Sequence, residues 1–374
     1  MKFIKLICLL ALMPFAAFAG PNEDLLAAAQ KGDFDKVKAA VEAGADVNAK
    51  GTADNTALHF AAYYGYNDIA LYLIEHKANV NADNSIQQRA LAQAGTKAKE
   101  PVAKALLAAG ADVNAVDKLG NTALATIIVN GHVDVVKMLL AAGAKPDVED
   151  KLGQTPLMKL TLAAEPAKRV EQMKAYEAYG GLKDQRAEYY SSTGELSKAL
   201  LDAGANPNRN NKAGETILMK AAQNGKNEMV KNLIAAKADV NALSKTGQSA
   251  LVYACDSPIA AEAGKYLLEA GADPNIKFSR IFSFYFTSKD GRLDAEYRNV
   301  TPLMVAARSG NNEMVKALAA AKADMNAVGT SGGTKISGYT DFNAAFVADQ
   351  YLHDDTYALL VSLGTGDLNK RSKR

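Results

Sequence analysis

Asp46-Val47-Asn48, Asn79-Val80-Asn81, Asp112-Val113-Asn114 and Lys145-Pro146-Asp147 are versions of one tripeptide, each 33 residues after the last. The series resumes at Asn206-Pro207-Asn208, Asp239-Val240-Asn241, Asp273-Pro274-Asn275 and Asp324-Met325-Asn326, with a weak copy at Asp367-Leu368-Asn369. A fixed period of this length means a stack of small units, none of which can bury its apolar face alone. Stacks of this kind bind other proteins far more often than they perform chemistry.

Between the tripeptides the units share further marks. A Thr-x-Leu element opens each, as in Thr56-Ala57-Leu58, Thr122-Ala123-Leu124, Thr155-Pro156-Leu157, Thr216-Ile217-Leu218, Ser249-Ala250-Leu251 and Thr301-Pro302-Leu303. The hydroxyl can cap a helix, and Pro suits a first helical position, where no amide donor is needed. Paired alanines follow at Ala61-Ala62, Ala221-Ala222 and Ala306-Ala307, and Gly65, Gly131, Gly225 and Gly310 then end the helix. A second helix carries apolar residues at offsets 0, 1, 4 and 5, as in Val135, Val136, Leu139 and Leu140, which form one stripe. It closes at Gly-Ala pairs such as Gly110-Ala111, and a turn with Gly120, Gly153, Gly214 or Gly247 at its tip leads onward.

Taken jointly, Thr-Pro-Leu, the paired alanines, Gly131-His132, the Val-Val…Leu-Leu stripe and the Gly-Ala…Asn close resemble the ankyrin repeat over most of residues 22–330. The resemblance implies an all-α solenoid of eight or nine helix-turn-helix units with outward β-turn tips and a curved protein-binding surface. Two departures stand out. The family's His after Thr-Pro-Leu survives only as His59, and Arg89-Ala90-Leu91 replaces the Thr element of the third unit, marking it as the soft spot. Pro101 still suits the start of that unit's second helix.

Two intervals break the period. From Asp147 to Asn208 is 61 residues, with the excess at about 164–192, where Tyr176, Tyr179, Tyr189 and Tyr190 sit among charges. Its reading is helical, as an extended first helix or an extra arm. From Asn275 to Asn326 is 51 residues, with the excess at about 277–299. There an aromatic and β-branched run, Phe278 to Thr287, precedes Asp290-Gly291 and Leu293–Tyr297, which signals a β-hairpin finger. By the two-residue period Phe278, Phe282, Phe284 and Phe286 share one side, Ile281 and Tyr285 the other. One face is expected to fold back on the stack and one to be open to a partner.

At the start, Met1-Lys2-Phe3-Ile4-Lys5, a 14-residue apolar run to Ala19 and Ala17-Phe18-Ala19 describe a secretory signal peptide over residues 1–19. The run is too short to span a bilayer, which takes about 20 residues. The expected organisation is then an array over 20–333, a degenerate capping repeat over 334–369 with Asp349-Gln350 and His353-Asp354-Asp355, and a basic tail over 370–374. The expected location is periplasmic or secreted.

The net charge of +2 falls to zero once Lys2 and Lys5 leave, which argues against nucleic acid as a partner. Of the two cysteines only Cys255 remains, in an apolar helical slot with no base near it. His59, His76, His132 and His353 cannot converge in a stack whose units touch only neighbours. No phosphate loop, Cys-x-x-Cys pair or nucleophile elbow occurs. The expectation is a monomeric, non-enzymatic scaffold that needs no cofactor and binds another protein. The rival readings are a secreted host-directed effector, and a small-molecule or peptide binder or minor enzyme formed by the insertions. Candidate contact residues are Tyr63 and Tyr64 between the paired alanines and Gly65, and the turn-tip cations Lys118, Lys151, Lys212 and Lys245. The finger adds Phe282, Phe284, Tyr285 and Phe286. The lysine row is expected to be interrupted at the 61-residue unit.

Overall fold

The computed structural model describes residues 20–94, 100–162, 192–284, 293–331 and 341–366. They form two compact units, one running to Asn130 and taking in Ala141–Ala144, the other holding Gly131–Leu140 and the chain from Lys145.

The first unit contains α1 (Pro21–Lys31), α2 (Phe34–Glu42), α3 (Ala57–Tyr64), α4 (Asn67–Glu75), α5 (Ala90–Ala94), α6 (Glu100–Ala108) and α7 (Ala123–Ile128). The second begins with α8 (Val133–Ala141), α9 (Pro156–Leu162), α10 (Thr193–Asp202), α11 (Ile217–Gln223) and α12 (Asn227–Ala235). It continues with α13 (Ala250–Cys255), α14 (Ala261–Glu269), α15 (Pro302–Arg308), α16 (Asn312–Ala320), α17 (Ala344–Gln350) and α18 (Asp354–Ser362). The insertion expected at 164–192 connects α9 to α10, but residues 163–191, and with them the helical reading of that segment, lie outside the described residues.

The caps form as the motif requires. Thr122, Thr155, Thr216 and Thr301 each accept the N–H three residues on, at 3.2, 3.3, 3.2 and 3.4 Å. The second-helix stripe packs inward, with Ile69, Ala70 and Leu73, then Val102, Ala103 and Leu106, buried in the first unit. Each buried Leu or Val of this kind stabilises by about 1.5–3 kcal/mol. Where most second helices close on a left-handed glycine, three close on Lys77, Lys237 and Lys322, at φ 66°, 64° and 61°. At the end of α17, Leu352 takes φ 59° where Gly310 stands in the preceding repeat.

The tripeptide earns its repetition through hydrogen bonds. Its first residue folds back on its third: Asp46 Oδ1 accepts Asn48 N–H at 2.9 Å, and Asp112, Asp239, Asp273 and Asp324 do likewise. Its third residue reaches forward, accepting the N–H of the first residue in the next copy. In the first unit Asn48 accepts from Asn79 at 2.6 Å and Asn81 from Asp112 at 2.8 Å. In the second, Asn208, Asn241 and Asn275 accept from Asp239, Asp273 and Asp324 at 2.8, 2.9 and 2.6 Å. The ladder runs through both long intervals, since Asp147 accepts from Asn206 at 2.9 Å. It starts one rung earlier than the tripeptides suggest, at Asn22, which accepts Asp46 N–H at 2.7 Å. At the far end Asn326 accepts from Gly366 at 2.8 Å, so the last copy is in register from Gly366 rather than Asp367.

The hairpin is present as β1 (Phe278–Phe284) and β2 (Leu293–Val300), antiparallel. Asn299, at φ 56°, lies in the extra residue span between the Tyr297 and Val300 pairings and makes a bulge. A second turn adds β3 (Gly329–Ser331) and β4 (Asp341–Phe342), giving a four-stranded sheet in the order β1-β2-β3-β4. The base of the finger folds inward as expected: Phe278, Tyr297 and Val300 are buried, and the Tyr297 ring meets Phe342 edge-on at 5.2 Å.

Candidate functional site

The exposed aromatics of the first unit are preorganised. Tyr63 and Tyr64 end α3 just before left-handed Gly65, and are 40% and 36% exposed. Their rings meet edge-on at 5.0 Å, and Tyr64 in turn stacks on Tyr66 at 5.6 Å. Tyr66 lies against Gly32 of the preceding repeat, where an added Cβ would come within 2.6 Å of the ring. The cluster is thus anchored at Gly32 and part-exposed at Tyr63 and Tyr64. Ring pairs of this kind are worth about 0.5–1.5 kcal/mol beyond their burial, so the tyrosines need little ordering on contact. Sequence reading missed Tyr66, whose role depends on a glycine 34 positions earlier. Seven residues after the capping Thr, the slot of Tyr63 is filled by Val129 in α7's repeat, also exposed.

In the α13 and α15 repeats of the second unit the same slot is ionic. Asp256 and Arg308 pair at 2.9 Å, and Arg308 Nε donates to Tyr351 Oη at 3.3 Å. His353 Nε2 donates to the Arg308 carbonyl at 3.0 Å, so this histidine is a repeat-to-repeat tie. His59 plays a similar part. Its Nε2 donates to the Gln88 carbonyl at 3.1 Å, and Nδ1 accepts from Thr56 N–H at 3.2 Å. Burial lowers its pKa, partly opposed by the bond to Gln88, and the ring is neutral.

The tips are built by a residue that sequence reading did not single out. Asp117 Oδ1 accepts the N–H groups of Leu119 and Asn121, both at 2.8 Å. Asn84, Asp150 and Asn211 do the same in their repeats. Asp150 is nearly buried. Burial raises its pKa, but the Lys159 ammonium at 2.8 Å and the two N–H donors outweigh that and hold it low. Lys118, Lys151, Lys212 and Lys245 all project from these tips, exposed. Leu119 and Leu152 beside them are 65% and 72% exposed, apolar tip positions the sequence reading passed over. In the second unit Lys151 and Lys212 stand on consecutive tips, joined below by the Arg209–Glu149 pair at 2.6 Å, so the long interval does not interrupt the row as expected. The insertion leaves between helices instead.

Of the finger residues, Phe282 and Phe284 pair through the backbone with Ala295 and Leu293, while Tyr285 and Phe286 lie outside the described residues. Cys255 is fully buried, and desolvation pushes its thiol pKa up, which removes it as a nucleophile. Among the described residues no cluster of His, Cys, Asp or Glu could hold a metal ion, and no helix is long and apolar enough to cross a membrane.

Comparison with known proteins agrees with the geometry. The family model for ankyrin repeats in three copies matches residues 25–117, 91–165 and 187–278, and the single-repeat model matches 298–330. No curated protein matches the chain. Among solved structures, an ankyrin repeat domain from Acinetobacter baumannii AYE is similar at 29% identity and a TM-score of 0.49. The match covers 57% of this chain and 98% of that one.

Proposed function

Since this chain belongs to the ankyrin repeat family, we propose that it is a non-enzymatic scaffold that docks a partner protein on the Tyr63–Tyr64 surface and the turn tips. The observation that carries this reading is the tyrosine cluster, stacked on Tyr66 beside Gly32 with Tyr63 and Tyr64 part-exposed. Tyrosine supplies large contact area at low entropy cost, and such residues dominate interface energies. In the second unit Asp256 and Arg308, at the equivalent slots of two repeats, pair with each other, which favours the first unit as the primary contact. Residues 1–19 mark the protein for export, so the partner is sought in the periplasm or outside the cell.

Affinity capture with the purified chain tests the docking. Tyr63→Ala with Tyr64→Ala should weaken the captured partner by about 30-fold, the value of about 2 kcal/mol at a hot spot. Equal capture by wild type and variant would remove this surface. The intact mass of the protein recovered from its native cell tests export, with Gly20 expected at the N-terminus and Met1 contradicting it.

A further inference from the structure

The four-stranded sheet has two unequal edges. β4 spans two residues and offers almost nothing to pair with. β1 spans seven and, among the described residues, pairs on one side only, with β2. A long edge strand is normally blunted by proline, a bulge, a central charge or brevity. β1 has no proline and one charge, Arg280, and its bulge belongs to β2, away from the edge. Among the described residues no strand pairs with its outer side.

The first residue of β1 lies against the preceding repeat. The tip glycine there, Gly247, comes against Phe278, a Cβ on it lying 3.4 Å from the Phe278 Cβ. Lys245 on that tip, Lys212 and Lys151 on the two before it and Lys277 ahead of β1 are exposed. None of the four makes an ion pair among the described residues. Lysines on the second helices behave differently. Lys137, Lys198, Lys231, Lys265 and Lys316 each meet a carboxylate at 2.6–3.2 Å. Acids near the tips are spent internally: Glu149 on Arg209, Asp150 on Lys159, Glu215 on Lys220 and Tyr253. Among the described residues the tip cations are left without a carboxylate partner.

We infer that an extended acidic segment of a partner protein adds to β1 as an outer strand, its main chain completing the ladder and its carboxylates meeting the tip lysines. Strand addition takes affinity from main-chain hydrogen bonds and selectivity from the side chains. Here the selectivity is for negative charge. A second copy of this chain is a poor occupant, because β1 against β1 would bring Lys277 and Arg280 of both copies together. The inference rests on the scaffold reading but uses residues apart from Tyr63 and Tyr64.

The test uses the whole chain and a labelled eight-residue peptide of alternating Glu and Val. Saturable binding is expected, weakening at least about tenfold between low and physiological salt as screening sets in. Replacing Lys151, Lys212 and Lys245 by Glu should weaken it at least about tenfold, and methylating alternate peptide amides should abolish it, since the ladder needs those donors. Amide exchange across residues 279–284 should slow when the peptide binds, and Tyr63→Ala with Tyr64→Ala should leave its affinity unchanged. Failure here with loss of partner capture in the tyrosine variant would overturn the strand addition and spare the scaffold. The inference is refuted by no saturable binding, by equal binding of the methylated peptide or of a Lys-Val peptide, or by dimerisation of the chain through β1.

Discussion

Asn241→Ala should cost about 1–2 kcal/mol, all of it at one junction between repeats. Asn241 Oδ1 accepts Asp273 N–H at 2.9 Å, and Nδ2 donates to the Gly271 carbonyl at 3.1 Å. Truncation strands one donor and one acceptor. Each such bond is worth about 0.5–1.5 kcal/mol net, and exposure of the turn lets water recover part of it. Asn241→Asp keeps the acceptor and loses the donor, as Asp147 does naturally toward Asn206, so it should fall between wild type and Ala. Urea unfolding at constant m gives the cost, and amide exchange at Asp273 localises it, because each repeat touches only its neighbours. The control is Asn67→Ala, an exposed asparagine outside the ladder, expected within about 0.5 kcal/mol of wild type. An Asn241→Ala cost no larger than that control, or no local rise in exchange at Asp273, would refute the ladder as a source of stability.

Other outcomes follow from single positions. Lys237→Gly and Leu352→Gly should each stabilise by about 0.5–1 kcal/mol, since both residues hold left-handed conformations at φ 64° and 59°; a lowered urea midpoint would contradict this. Gly264→Ala should cost about 1–3 kcal/mol, because its Cβ would overlap the Met314 thioether, and a double-mutant cycle with Met314→Ala should show favourable coupling of at least about 0.5 kcal/mol. His59 has a pKa lowered by burial, so unfolding at acid pH adds a proton that the folded state refuses. Its contribution is therefore complete above the ordinary histidine pKa of about 6.5 and is lost progressively as pH falls below it. The stability gap between wild type and His59→Gln should shrink across that window, and a gap that widens would reverse the assignment.

The helices were legible because Thr-x-Leu, Gly and the apolar stripe each state a local rule, and the hairpin because Asp290-Gly291 follows an aromatic strand. What escaped reading depends on partners distant in sequence. The tripeptide's period was visible, but not that its third residue serves the following copy. Asn22 carries the first rung without any tripeptide around it, and Gly366 carries the last one residue before the apparent motif. The tip builders Asn84, Asp117, Asp150 and Asn211 share the period too, yet alternate between Asn and Asp and so leave a weaker trace. β3 and β4 are too short to show alternation. At the candidate surface, Tyr63 and Tyr64 could be found from their slots, whereas Tyr66 is meaningful only with Gly32 against it.

The central claim, that the first-helix ends of the first unit receive a partner protein, is tested most directly by site-specific photo-cross-linking in the native cell. A photoreactive residue in place of Tyr63 should give a discrete adduct with one partner. The same residue in place of Leu71, exposed on α4, should give none. Adducts of equal yield at both positions, or at neither, would contradict the claim.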